Sequence, residues 1–132
     1  VTLLVNPDIW VALTLIGEAD GEPYDGKVAV AEVIRNRARR HYNSDGTYIG
    51  TVLAPLQFSC WNAYSDRIPA AKADDVRPDV QECLRAWQDA LAGSNKALGA
   101  VLYFNPQEAA PAWVAKATFL IEIGRHRFYG DP

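Results

Sequence analysis

The sequence predicts an α+β fold that is mainly α, and three observations carry that prediction. Apolar side chains repeat at helical spacing in three long stretches, each bounded by residues that start or stop helices. Two short runs near the C-terminus are rich in β-branched and aromatic residues, which favours strands. At 132 residues, with 49% hydrophobic residues including 4 Trp, 6 Tyr and 4 Phe, the chain can furnish one core but hardly two. Residues 1–132 are therefore expected to form a single domain.

The first helix is expected over Pro7 to Ala19. Asn6 can cap it, Pro7 suits its first position, and Asp8 favours the positive end of its dipole. Ile9, Leu13 and Ile16 with Trp10 and Ala12 form its apolar stripe, and Gly17 and Gly21 mark its end. After the turn Asp20-Gly21-Glu22-Pro23, a second helix is expected from Asp25 to Arg40, with Val28, Ala31, Ile34 and Ala38 facing inward and the arginines facing out. Asn43-Ser44-Asp45-Gly46 breaks the chain before a short helix from Ile49 to Leu53. Gln57 to Asp74 reads as irregular, a length of loop that is uncommon without a function. Pro78 opens a further helix, with Val80, Leu84, Trp87 and Leu91 in register and Gly93 closing it. Ala100 to Phe104 and Thr118 to Ile123 are the two expected strands.

Composition narrows the possible partners. A formal charge of -3, from 13 Lys+Arg against 16 Asp+Glu, gives no global field that would draw a polyanion. The local run Arg35, Arg37, Arg39 and Arg40 reads as the solvated face of a helix, so nucleic acid is not expected as a partner. Cys60, Cys83, His41 and His126 match no zinc spacing, and no metal or cofactor is expected. The two cysteines can form one disulfide or remain as buried thiols. No apolar run approaches the ~20 residues that span a bilayer, and no signal peptide is recognisable, so membrane insertion is not expected.

The chemistry begins at Ile16-Gly17-Glu18-Ala19. This segment sets a carboxyl at the C-terminal end of an apolar helix, where burial and the helix dipole both oppose ionisation. Glycosidic cleavage needs such a group, because the leaving sugar oxygen must receive a proton. Taken alone, the same pattern also describes a solvated glutamate at a helix end.

The wider pattern is more specific. Ile16-Gly17-Glu18-Ala19-Asp20-Gly21-Glu22-Pro23-Tyr24 is followed by Gly26-Lys27-Val28-Ala29-Val30-Ala31 and Ile34-Arg35-Asn36-Arg37. Further on come Thr51-Val52-Leu53, Gln57-Phe58-Ser59, Ala100-Val101-Leu102-Tyr103-Phe104-Asn105-Pro106 and Ile123-Gly124-Arg125-His126-Arg127-Phe128-Tyr129. Together these segments resemble the SleB-type cell-wall hydrolases. The resemblance implies a lysozyme-like domain with a central helix bearing the catalytic residue and a small β element. It also implies cleavage of the MurNAc-GlcNAc strand of peptidoglycan at the bacterial wall, often as a lytic transglycosylase, by a monomer acting on glycan strands.

Carried over residue by residue, the resemblance makes Glu18 the catalytic acid and Glu22 a residue of the site wall. Asp20 and Asp25 are weaker acidic candidates, better explained by turn and capping preferences. Gln57 and Ser59 are expected to grip substrate from a loop wall, with Trp61 as a stacking platform, whereas Phe58, Trp10 and Trp87 are expected in the core. Cys60-Trp61-Asn62 departs from the simplest spore-type pattern and points to the phage branch. Tyr103 and Asn105 form the second wall, and His126 lines the site. No aspartate stands out as a second catalytic carboxylate. That favours a transglycosylase over a hydrolytic muramidase, while a glycan-binding wall protein without activity is the remaining alternative.

Overall fold

Asn6 caps the first helix as its sequence predicts: its Oδ1 accepts the Asp8 N–H at 2.9 Å, and Pro7 stands in the first turn. The computed structural model describes residues 6–54, 57–58 and 77–132. Expectations for Ser59, Cys60, Trp61 and most of the irregular stretch lie outside these residues. Helix α1 spans Pro7–Ala19, α2 Tyr24–Arg40, α3 Tyr48–Val52 and α4 Pro78–Leu91. The strands are β1 Leu102–Phe104, β2 Phe119–Ile123 and β3 His126–Tyr129, with a 3-10 turn at Ala112–Ala115. Among the described residues, no helix is long and apolar enough to cross a membrane.

Helix α1 is the central rod, because its sequence is apolar on nearly every side. Val11, Ala12, Leu13, Leu15, Ile16 and Ala19 are buried, and α2, α3 and α4 all pack against it. The hydroxyl of the buried Thr14 donates to Trp10 O at 2.8 Å, which removes the cost of an unpaired polar group. Trp87 of α4 is fully buried, meets Tyr48 edge to face at 4.8 Å, and donates its indole N–H to Asp8 at 2.8 Å. Burying a side chain of this size contributes about 3 kcal/mol. Trp10 packs against the core, Phe58 is buried in it, and Cys83 is a buried thiol pushed up to about 12 by burial. Leu91, expected on the inner stripe of α4, is exposed. Cys83, Ala86 and Ala90 fill the interface instead.

The expected outward face of α2 needs correction. Val28, Ala31, Ile34 and Ala38 are buried as expected, and Arg39 and Arg40 are exposed, but Arg35 and Arg37 are each only 4% exposed. The reason lies in carbonyl groups at the end of α4 and in the segment after it, which accept from these side chains. Arg35 Nη1 donates to Ala90 O in the last turn of α4 and to Ser94 O, while Asn36 Nδ2 donates to Ala100 O and Arg37 Nε to Val101 O. Glu32, fully buried one turn earlier, accepts from Ser94 Oγ and from the backbone N–H of Lys96 and Ala97. This polar row stitches α2 to the segment leading into β1.

The sheet has the order β1-β3-β2 and is antiparallel throughout. Strand β3 is an addition to the two expected strands, and it is central. Ile123 pairs with His126 across the two-residue turn Gly124-Arg125, with Gly124 at φ +59 where a tight hairpin favours glycine. His126 and Phe128 face the core side, while Arg127 points outward.

Candidate active site

Helix α1 delivers Glu18 at its last turn, half-buried, with the buried Ala19 anchoring the backbone behind it. Gly17, Glu18, Asp20, Glu22, Asn105, Glu108, Arg125 and His126 line a cavity of about 180 Å³. The lining comes from the end of α1, the α1–α2 turn, the segment after β1 and the β2–β3 hairpin. Tyr103 closes the arrangement from β1, its phenol donating to Glu18 Oε1 at 2.7 Å. A larger depression of about 410 Å³, bordered by Phe119, Glu122, Arg127 and Tyr129, contains none of the expected site residues.

Glu22 is the best-held carboxyl in the cavity. Its side chain is 2% exposed; Oε1 accepts the Arg125 N–H at 2.8 Å and Oε2 accepts Arg125 Nε at 2.6 Å. Burial pushes this carboxyl up, but the Arg125 hydrogen bonds together with the charges of His126 and Arg125 outweigh it and hold the group below 4.5. Arg125 Nη2 also donates to Asp20 O at 3.0 Å, so one side chain ties the hairpin to the α1–α2 turn. A carboxylate with both oxygens engaged in this way is a poor base for water.

His126 is buried beside it. Its ring meets Tyr103 edge to face at 4.9 Å, and Nδ1 lies 3.7 Å from Glu22 Oε1. Burial holds the imidazole below 6.5, against the pull of the Glu22 and Glu18 carboxyls. Asn105 lines the cavity and spends its side-chain oxygen on the Gln107 N–H at 2.9 Å.

Of the expected site residues, Glu18, Glu22, Tyr103, Asn105 and His126 are brought together. Gln57 is not among the cavity's described lining; it accepts from Asn43 Nδ2 at 3.1 Å, beyond the end of α2. Asp25 forms an exposed ion pair with Lys96 at 3.3 Å, away from the cavity. Sequence reasoning missed Arg125 and Glu108. For Arg125 a signal existed, since glycine followed by arginine ahead of a strand marks a hairpin tip, but its partner was 103 positions away. Glu108 carries no local signal.

The acidic lining, with one arginine already paired, is unsuited to a polyanion such as nucleic acid. It suits a neutral, hydroxyl-rich ligand that meets acceptors and a proton donor.

Residues 21–129 match the family model described as Cell Wall Hydrolase. The spore cortex-lytic enzyme of Halalkalibacterium halodurans is 37% identical over 121 residues, covering 89% of this chain and 33% of that protein. The spore cortex-lytic enzyme of Bacillus subtilis is 34% identical over 125 residues, covering 93% and 37%. The chain thus spans about a third of the length of these relatives. Among solved structures, the catalytic domain of the germination-specific lytic transglycosylase SleB from Bacillus anthracis superposes with a TM-score of 0.73 at 30% identity, covering 94% of both chains. The catalytic domain of the Bacillus cereus SleB protein gives 0.72 at 31% identity, covering 93% and 89%. The fold is lysozyme-like, mainly helical with one small three-stranded sheet, and the chain belongs to the cell wall hydrolase family.

Proposed function

We propose that residues 1–132 act as one domain that cleaves the glycan strand of peptidoglycan at the bacterial wall, as a lytic transglycosylase with Glu18 as acid and then base. The observation that carries this reading is the Glu18–Tyr103 hydrogen bond beside a polar cavity in a chain that matches a SleB catalytic domain over 94% of its length. Glu18 lies three positions before the span matched by the family model, so its role rests on the geometry and on the motif around it.

In this mechanism the Glu18 carboxyl protonates the glycosidic oxygen as the bond to the muramyl C1 breaks and positive charge develops on the ring. The carboxylate left behind takes the proton of the muramyl C6 hydroxyl, whose oxygen attacks C1 and closes a 1,6-anhydro ring. One residue completes both half-reactions, and protons balance without a cofactor. Tyr103 holds the carboxyl in place, while Asn105 and His126 present polar groups to the sugar. Glu22 is unsuited to activating water because Arg125 occupies both its oxygens.

Two measurements test the reading. Glu18→Gln keeps the shape and removes the transferable proton, so lysis of purified sacculi is expected to fall more than tenfold with little change in thermal stability. Retention of more than a tenth of wild-type activity overturns the assignment. Mass analysis of the released fragments is expected to find muramyl ends lighter by one water, about 18 Da, than hydrolysed ends. Exclusively reducing muramyl ends would make the enzyme a hydrolase, with another carboxyl as its second group.

A further inference from the structure

His126 opens strand β3 immediately after the hairpin turn, on the side of the sheet that faces the cavity. Its two ring nitrogens have different surroundings. Nδ1 is buried, makes no hydrogen bond among the described residues, and faces Glu22 Oε1 at 3.7 Å. Nε2 has no hydrogen-bond partner in the described protein either, yet it is not buried, so it is the nitrogen open to the cavity.

The position of Glu22 decides between the tautomers. A proton on Nδ1 points at a carboxylate oxygen, whereas a lone pair there would face the same negative charge across 3.7 Å of protein interior. Arg125 fixes both Glu22 oxygens, so the carboxylate cannot turn away. Nε2 is then the bare nitrogen, an acceptor aimed where a ligand would lie.

We propose that His126 is a neutral imidazole protonated on Nδ1, that Glu22 imposes this tautomer, and that Nε2 recognises a hydrogen-bond donor of an N-acetylhexosamine, its acetamido N–H or a hydroxyl. This deepens the reading of the cavity as a glycan site and rests on it. His126 is a specificity residue here, and Glu22 is a positioning residue acting through it.

The charged groups facing His126 are Glu18 of α1, Glu22 of the α1–α2 turn, Arg125 of the hairpin and Glu108 of the segment after β1, with the neutral Tyr103 of β1 against its ring. Burial prevails over the carboxylates and keeps the ring neutral near pH 7. Acidification adds a proton to Nε2 and converts the acceptor to a donor, so affinity for the sugar is lost.

The test is long-range proton–nitrogen NMR of the 15N-labelled chain, with chitotetraose as the ligand and Glu18→Gln as a non-turnover form. A bare Nε2 and a protonated Nδ1 are expected at pH 7.5, with the Nε2 resonance moving as the sugar is added. Affinity is expected to fall several-fold once pH is lowered through the folded-state value of His126, which lies below 6.5. His126→Phe is expected to weaken binding roughly tenfold, the scale of one lost hydrogen bond. His126→Gln offers an amide oxygen that does not titrate, so it is expected to bind within about threefold of wild type and to lose the pH dependence. Wild-type affinity in His126→Phe, a proton on Nε2, or an imidazole unmoved by the sugar each overturns the proposal. These readouts are independent of catalysis, so activity surviving in Glu18→Gln would remove the proposed reaction and leave the tautomer result standing.

Discussion

The phenol of Tyr103 donates a 2.7 Å hydrogen bond to Glu18 Oε1 across 85 positions of sequence. It joins the first strand to the end of the central helix at the point where the proposed proton transfer takes place. The bond serves the carboxyl in both charge states, because a hydroxyl can rotate to donate or accept.

Removing that hydroxyl is expected to act on turnover. Tyr103→Phe keeps the ring contacts to His126 and Phe128 and is expected to lower kcat about tenfold or more, the worth of a hydrogen bond to a charged group. KM should move less than threefold. Unchanged kcat in purified, folded variant would exclude a role for the bond in the reaction.

Stability is expected to fall on acidification in two stages. The folded-state value of His126 lies below 6.5, so the unfolded chain binds the extra proton first, and its contribution, complete above pH 6.5, is lost below it. Glu22 is held below 4.5 when folded, so its contribution is present above pH 4.5 and disappears as pH falls through the folded value. Thermal melts from pH 8 to pH 3 should therefore bend twice, and Glu22→Gln should remove the lower bend. A variant that retains the lower bend would assign it to other carboxyls.

Gly124 is expected to tolerate no side chain. It sits at φ +59, and a Cβ there would collide with Glu22 Oε1 and crowd Pro23. Gly124→Ala should cost about 1–3 kcal/mol, from the left-handed conformation and the displaced Glu22–Arg125 contact together. The melting temperature would drop by roughly 3–10 °C. Gly93, at φ +109 with open space around it, provides the comparison: Gly93→Ala meets a conformational cost alone, with no contact displaced.

The arginines of α2 should separate sharply by position. Arg37→Met removes the bond to Val101 O and the guanidinium lying 5.0 Å over the Phe58 ring, leaving a buried carbonyl unpaired. A loss of about 2–4 kcal/mol is expected. Arg39→Gln, on the exposed side of the same helix, should change stability by less than about 0.5 kcal/mol. Denaturant melts of the two variants compare them directly, and equal effects would contradict the stitched arrangement of α2.

Local physics was sufficient for much of this molecule. The cap at Asn6, the proline starts of α1 and α4, and the apolar spacing of the helices depend on neighbours within one or two turns, so they were readable from order alone. The motif around Glu18 likewise located the end of the central rod. What the sequence left undecided was every relation that depends on distant partners. Arg35 and Arg37 read as solvated because arginine usually is, and only the carbonyls of residues 90–101 explain their burial. Strand β3 is four residues long, too short to display a period, and exists because β1 and β2 offer it hydrogen bonds on both edges. The Glu22–Arg125 pair, the orientation of His126 and the Tyr103–Glu18 bond follow from that central strand and its hairpin, since hydrogen bonds and charge act over ångströms of space and are indifferent to separation along the chain.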